Sequence, residues 1–420
     1  MAAKSGSGYR WLILITLVVG TGMLNYANMV FSSSPVDMMA RFNMSQAQLT
    51  AISTIGTLPG AFFSIILGNY FDKHGAKHMR FVAGALLILA AAFMMWRAFA
   101  TNYIQLVIIT FVAGTLFLPT QVLPFKVMGM WFNRKQMSVG MGIYGAAAGF
   151  GIMLAFALGN VFPNTTAALV SCAVGYLLAA LLWLLFVQVP ADMEEAPAQE
   201  AVQQEAAPKV SAGSVLRSKT MWLVMICSLI ACSAPLLFNS YIVNAFLAKG
   251  MAPAMTSMLA VVFNIALVLG AILAGTVAGK VGRYNGVYFV CCVLGGVCLV
   301  ATYVVPVGIL SFVFLACAGL ISAGSLSLNF TRINLIPLTG EFGPECTGIA
   351  GGMNNTAMGL GQFFMPTLVA AALGSNYLSV FLVILVLLCI IGFVGRFAMP
   401  ELGEKGKLAQ AAKAEGQAQA

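Results

Sequence analysis

Charge is scarce in this chain. Only 8% of the 420 residues are Asp, Glu, Lys or Arg, and two are histidine, His74 and His78. A soluble domain is about a quarter charged, so a water-soluble core is excluded. Acids are scarcest: Asp37, Asp72, five between Asp192 and Glu205, Glu341, Glu345 and three from Glu401 onward make up all twelve. None of these, and neither histidine, falls near the middle of an apolar run. That leaves no nucleophile–base pair or ligand cluster from which to build catalysis, so no enzymatic activity, metal or cofactor is expected. A Gly-x-x-x-x-Gly-Lys-Ser/Thr phosphate loop is also missing, which excludes ATP hydrolysis by that device. Nine cysteines are present, but Cys172, Cys227, Cys232, Cys291, Cys292, Cys298, Cys317 and Cys389 sit inside apolar runs and Cys346 starts another. A disulfide framework is therefore not expected. Short alternating segments of the kind that build a transmembrane barrel are missing too.

What fills the chain instead is apolar sequence: 60% hydrophobic residues and a mean hydropathy of +0.95. A helix crosses a hydrocarbon core with about 20 apolar residues. Twelve stretches qualify, at 11–36, 47–71, 79–99, 103–129, 137–162, 166–189, 220–247, 255–279, 286–306, 308–330, 346–372 and 376–398. The fold class expected is an all-α membrane protein of twelve transmembrane helices. Its first span follows Lys4 and Arg10 but is too long for a signal peptide and is read as retained.

A net charge of +9 invites a nucleic-acid reading, and the distribution of cations rejects it. With the amino terminus inside, only Arg41, Arg97 and Lys249 fall outside, and the other 18 of 21 Lys and Arg lie inside. This positive-inside bias places both termini in the cytoplasm of a cell membrane, the inner membrane if the source is bacterial. The partners expected are the lipid bilayer and a small-molecule substrate, with no nucleic acid, for a monomeric protein.

Residues 191–218, rich in Ala, Glu, Gln and Pro, bury too little apolar surface to order themselves and are expected to be a flexible linker. They separate an N-terminal six-helix bundle (1–190) from a C-terminal one (219–400), and 401–420 is expected to be a disordered tail. The halves show internal symmetry. Gly114 and Phe125 in the fourth span align with Gly319 and Phe330 in the tenth. The fifth and eleventh spans both open with dense glycine: Gly140, Gly142, Gly145, Gly149 and Gly151 against Gly348, Gly351, Gly352, Gly359 and Gly361. Repeated halves around a midplane site mark secondary transporters, and small residues let helices approach closely in lipid.

Between the second and third spans stands a charged, glycine-bearing turn, Gly68-x-x-x-Asp72-Lys73-x-Gly75-x-Lys77-x-x-Arg80. A degenerate copy follows the eighth span as Gly275-x-x-x-Gly279-Lys280-x-Gly282-Arg283, and Trp131-Phe132-Asn133-Arg134-Lys135 joins the fourth span to the fifth. Together these resemble the signature of the major facilitator superfamily over essentially the whole chain. The resemblance implies two pseudo-symmetric six-helix bundles and a gating role for Asp72, paired with Lys73, Lys77 or Arg134. Gly279 replaces the aspartate of the second copy, so the matching latch there is weak or missing. The glycine-rich fifth span resembles carriers of small anions of the oxalate–formate, cyanate or nitrate type, which implies an organic-acid or anion substrate.

In that fold the first, fourth, seventh and tenth spans line the pathway. They offer Asn25, Tyr26, Asn28, Gln121, Asn239, Tyr241, Asn244 and Asn329, with Tyr144, Asn354, Asn355 and Gln362 from the fifth and eleventh. Amides and phenols bind polar solutes by hydrogen bonds without charge, though they also bond helices to one another. Lys126 and Arg332 are the cations closest to the apolar region, placed either to attract an anion or to snorkel to the interface. Asp37 is either a helix-end charge or a coupling site. The function expected is alternating-access transport of a small polar metabolite, an organic acid or anion. Efflux of lipophilic compounds is the alternative, followed by a membrane sensor that does not transport.

Overall fold

In lipid, an unpaired backbone amide costs several kcal/mol, so each crossing must satisfy its own amides as a helix. The computed structural model describes residues 8–132, 134–159, 161–188, 212–342, 347–403 and 405–406. Among them are 12 helical spans long and apolar enough to cross a membrane. The N-terminal half holds span 1 (Tyr9–Ser33), span 2 (Gln46–Gly68), span 3 (His78–Arg97), span 4 (Tyr103–Met128), span 5 (Gly140–Gly159) and span 6 (Thr165–Phe186). The C-terminal half holds span 7 (Lys219–Ala248), span 8 (Met255–Val281), span 9 (Tyr284–Val304), span 10 (Ile309–Ile333), span 11 (Ile349–Leu373) and span 12 (Tyr377–Ala398). An even number of crossings puts the first and last described residues on one face, here named terminal; the opposite face is distal.

The glycine symmetry becomes contact geometry. A Cβ on Gly114 of span 4 would stand 2.4 Å from the Gly56 carbonyl oxygen of span 2, and one on Gly319 of span 10 would stand 2.6 Å from the Phe263 oxygen of span 8. Likewise Gly151 of span 5 rides on Gly22 of span 1 (1.9 Å to its oxygen) and Gly361 of span 11 on Leu229 of span 7 (2.2 Å). Any side chain at these four positions would force the backbones apart. Between the halves, span 5 lies on span 8 and span 11 on span 2, with Gly149 against Val268 and Gly359 against Ala61.

Spans 4, 5 and 10 each loosen at one residue, Leu118, Ala146 and Ala323, while the chain stays helical through Ala146 and Ala323. In span 4 the break comes from Pro119, which supplies no amide donor and starts the second helix. Polar groups close the ends of the bundles. The last carbonyls of span 6, orphaned by helix geometry, accept from Arg80 Nε (Leu184, 2.7 Å), Tyr9 Oη (Phe186, 2.8 Å) and, just beyond it, Trp131 Nε1 (Gln188, 2.9 Å). At the first amides of span 9, Glu401 accepts from Tyr284 N at 2.7 Å and Asn285 N at 3.0 Å, a carboxylate at a positive helix end. The span 7 start is held by Glu341, which accepts from Ser218 and Thr220.

Three expectations are corrected. The segment read as a turn between spans 2 and 3 is helical: an α-helix runs Pro59–Lys77 and five π-helical residues, His78–Val82, lead into span 3. A helix pairs the backbone amides and carbonyls of this segment within itself, as a membrane-edge segment requires. Within the region read as linker, Ala212–Arg217 forms a short helix; residues 189–211 lie outside the described residues. The start of the tail is also ordered by Glu401 and by Lys405 N, which donates to the Gly282 carbonyl at 3.1 Å, while 407–420 lie outside the described residues.

Candidate functional site

Between the halves lies a cavity of about 60 Å³, lined by spans 1, 5, 7, 8, 10 and 11. That volume holds a few water molecules. Ala146, Ala323 and the intrahelical Pro235 line it. The polar lining comprises Asn25, Ser322, Ser325, Ser327, Cys232 and Gln362. Asn25 Nδ2 donates back to the Thr21 carbonyl at 3.0 Å, which fixes its rotamer. The Ser327 hydroxyl is buried without a partner, and its Cβ faces Gly145 across the cavity. An unpaired buried hydroxyl costs free energy until something fills the site. Among the described residues, no charged residue lines the cavity.

On either side of the cavity an amide hydrogen-bonds across the halves. On the terminal side, Asn355 Nδ2 donates to the Gln121 carbonyl at 2.9 Å. Beside it Gln121 Nε2 donates to Thr21 Oγ1 at 3.3 Å, and Thr21 reaches Tyr144 Oη at 3.2 Å, a cluster of spans 1, 4, 5 and 11. On the distal side, Asn244 Nδ2 of span 7 donates to Gln46 Oε1 of span 2 at 2.9 Å.

The sequence candidates therefore separate. Asn25 lines the cavity; Gln121, Tyr144 and Asn355 lie beneath it; Asn244 makes the distal cross-half bond. Others are absorbed into the bundles. Tyr26 bonds to Ser171, and Asn239 and Asn264 exchange amide hydrogen bonds. Tyr241 stands edge-on to Tyr377, and Asn28 lies against Gly56. Tyr241 and Asn244 meet different neighbours, because a three-residue step turns about 60° around the axis. Arg332, 1% exposed, is not in the cavity either. It bonds Asn329 Oδ1 (3.1 Å), Asn285 Oδ1 (2.9 Å) and the Gly395 carbonyl (3.4 Å), and lies 4.2 Å from the Tyr288 ring centroid. This cation pins spans 9, 10 and 12 together. Lys126 Nζ reaches the Phe71 carbonyl at 3.2 Å, toward the terminal end of span 2. Asp37 is exposed in the first turn of a short helix, Pro35–Phe42, where its charge suits the helix end.

Of the gating motif, Gly68 and Arg80 are described in full, and the side chains of Asp72, Lys73, Gly75, Lys77 and Arg134 lie outside the described residues. In the second copy, Gly275 and Gly279 have no neighbour within van der Waals reach, Gly282 ends span 8 in the left-handed conformation (φ 70°), and Lys280 and Arg283 are exposed. Ser327, by contrast, was missed. Its only signal is the small-polar run Ser322–Ser327, which in a membrane helix reads as packing.

A family model described as Major Facilitator Superfamily matches residues 12–366. An MFS-type transporter of Gibberella moniliformis is 22% identical over 254 residues, 59% of this chain and 59% of the relative. The hexuronate transporter of Escherichia coli K12 is 24% identical over 251 residues, 56% of this chain and 57% of its own length. The matches thus span less than two thirds of those two relatives. A nitrite extrusion protein of Bacillus subtilis 168 is 23% identical over 342 residues, 78% of this chain and 79% of the relative. Among solved structures, a D-xylose–proton symporter has a TM-score of 0.68 at 13% identity, covering 95% of this chain and 100% of its own. A proton:xylose symporter bound to 6-bromo-6-deoxy-D-glucose has a TM-score of 0.73 at 13% identity, covering 97% and 99%. At such identity the structural likeness concerns the fold.

Proposed function

The chain belongs to the major facilitator superfamily and is a multi-pass transporter of small molecules; from that premise we propose that it moves a small polar metabolite, an organic acid or anion, by alternating access about the central cavity. The observation that carries this reading is the cavity itself: Asn25, Gln362 and the unpartnered Ser327 around a space between the halves, with a cross-half amide hydrogen bond on either side of it. As seals, such bonds break one at a time as one bundle rocks against the other. Hydroxyls and amides can hold an anion's oxygens by donating to them, and two relatives bear the names of anion carriers, hexuronate and nitrite. Among the described residues, no carboxylate or histidine lines the cavity. The reading therefore favours facilitated transport, exchange or coupling by the substrate's own proton.

The gate follows the motif: Asp72, with Lys73, Lys77 or Arg134, latches the terminal face. The terminal face is cytoplasmic in this reading, since 18 of 21 cations lie there by sequence. Lys126, at that end of the pathway, draws anions toward it.

A thermal-shift panel on the purified protein tests the reading, because a ligand that binds the folded state raises its melting temperature. Monocarboxylates, hexuronates, nitrite, neutral sugars, amino acids and lipophilic cations form the panel. Stabilisation by small acids or anions, lost in Ser327→Ala, is expected. The cavity's apolar lining, Ile152, Leu236, Leu267 and Leu326, favours one other cargo. Stabilisation by bulky lipophilic compounds alone would replace the metabolite reading with efflux.

A further inference from the structure

Arg97 is the last residue of span 3, and sequence places it outside. Instead it is fully buried, at 0% exposure. A helical Cβ points back toward the helix start, and span 3 runs from the terminal to the distal face. The side chain is thus carried into the bundle rather than out to water. Its Nη1 donates to the Ala27 carbonyl at 3.2 Å and its guanidinium lies 5.1 Å from the Phe31 ring centroid. Ala27 is six residues before the end of span 1, about 9 Å below the distal end at 1.5 Å per residue.

The guanidinium faces the Cys172 thiol and the Tyr176 phenol of span 6, both also 0% exposed. Three polar atoms here have no partner: Arg97 Nε, Arg97 Nη2 and Tyr176 Oη. Among the described residues no carboxylate pairs with Arg97, which bonds the Ala27 carbonyl and the Cys172 sulfur, while the Cys172 thiol itself donates to the Ala168 carbonyl at 3.4 Å. A buried cation without a counter-charge is among the costliest arrangements in a protein, far costlier than a paired one. Arg332, the other fully buried arginine among the described residues, shows the contrast: three oxygens and the Tyr288 ring satisfy all of it but Nε. At Arg97 the unpaired donors are gathered around one cation, and what they lack is an acceptor carrying negative charge.

We propose that Arg97, Tyr176 and Cys172 form a binding site for a small monovalent inorganic anion, of the chloride or nitrate class, inside the N-terminal bundle. The site lies behind span 1, on the side that meets spans 3 and 6, whereas Asn25 faces the central cavity from the same helix. The anion is a resident counter-ion that joins spans 1, 3 and 6, distinct from the transported solute.

The test uses the full chain purified in detergent, with gluconate, a bulky anion, as the reference. At constant ionic strength, chloride or nitrate replacing gluconate is expected to raise the melting temperature along a saturating curve. Tyr176→Phe keeps the packing and removes one donor to a charged acceptor, so the half-saturating concentration should rise about tenfold. Arg97→Gln should abolish the dependence; should that variant not fold, Tyr176→Phe carries the comparison. Bromide, soaked into crystals, should give an anomalous peak beside the guanidinium. A melting temperature indifferent to the anion overturns the proposal and leaves water as the partner. So does a non-saturating dependence unchanged in Tyr176→Phe, which would be a general salt effect.

Discussion

Removing one seal should open the cavity from one side only. Asn244→Ala deletes the distal cross-half hydrogen bond and leaves Gln46 Oε1 without its donor, beside a Gln46 Nε2 that already has no partner. A hydrogen bond contributes about 0.5–1.5 kcal/mol net, and an acceptor left buried adds to the loss. The seal does not exist in the distal-open state, so the mutation raises only the closed state's free energy. At RT near 0.59 kcal/mol, the open population grows about 2- to 13-fold when it is the minor state. Cys232 reports it, being 3% exposed and part of the cavity wall. In a protein whose other cysteines are serine or alanine, reconstituted in vesicles, the rate of Cys232 modification by a membrane-impermeant thiol reagent follows the open fraction. Asn244→Ala should accelerate labelling from the distal face by that factor and leave labelling from the terminal face unchanged or slower. Equal acceleration from both faces, or none, would refute the assignment of Asn244 and Gln46 as a seal.

Other consequences are more local. Gly151→Ala would set a methyl group 1.9 Å from the Gly22 oxygen, and a loss of about 1–3 kcal/mol or more is expected from such overpacking, read as a lower melting temperature; full retention would mean spans 1 and 5 are looser than described. Although burial opposes it, donation from Ser218, Thr220 and Thr339 holds the Glu341 carboxyl below the usual carboxylate range. Its contribution is therefore present above pH about 4.5 and lost as pH falls through the lower folded value. The melting-temperature gap between wild type and Glu341→Gln should shrink on acidification through that range, and a gap that widens would contradict the sign. Asp72→Asn should lower the transport rate more than substrate affinity, and an unchanged turnover would remove Asp72 from the gate.

The architecture was legible from the sequence because the bilayer asks only for length and apolarity, which 12 runs satisfy with boundaries close to those observed. The glycines foretold close approach for the same reason: few other residues allow it. Site residues were harder to read. In a soluble helix, the polar face points to water and reveals rotation, whereas in lipid both the buried and the exposed face are apolar, so rotation leaves little trace. Hence Asn25 and Tyr26, adjacent in sequence, face different compartments, the cavity and Ser171. Charge misled in a related way. Arg97 was read as an outer-end charge and Arg332 as either a pathway cation or one snorkelling to the interface; Cβ direction buries the first within the distal end of the bundle, and partners on spans 9 and 12 hold the second.

Counterflow in proteoliposomes tests the central claim most directly. Vesicles are loaded with unlabelled hexuronate, nitrite, a monocarboxylate or a neutral hexose, and the uptake of the labelled compound is followed. At least one small acid or anion should accumulate transiently above protein-free vesicles, without ATP, and that signal should fall in Ser327→Ala, while the variant keeps its fold. No counterflow from any of these solutes, with the protein inserted and folded, would contradict a carrier of small polar metabolites built around this cavity.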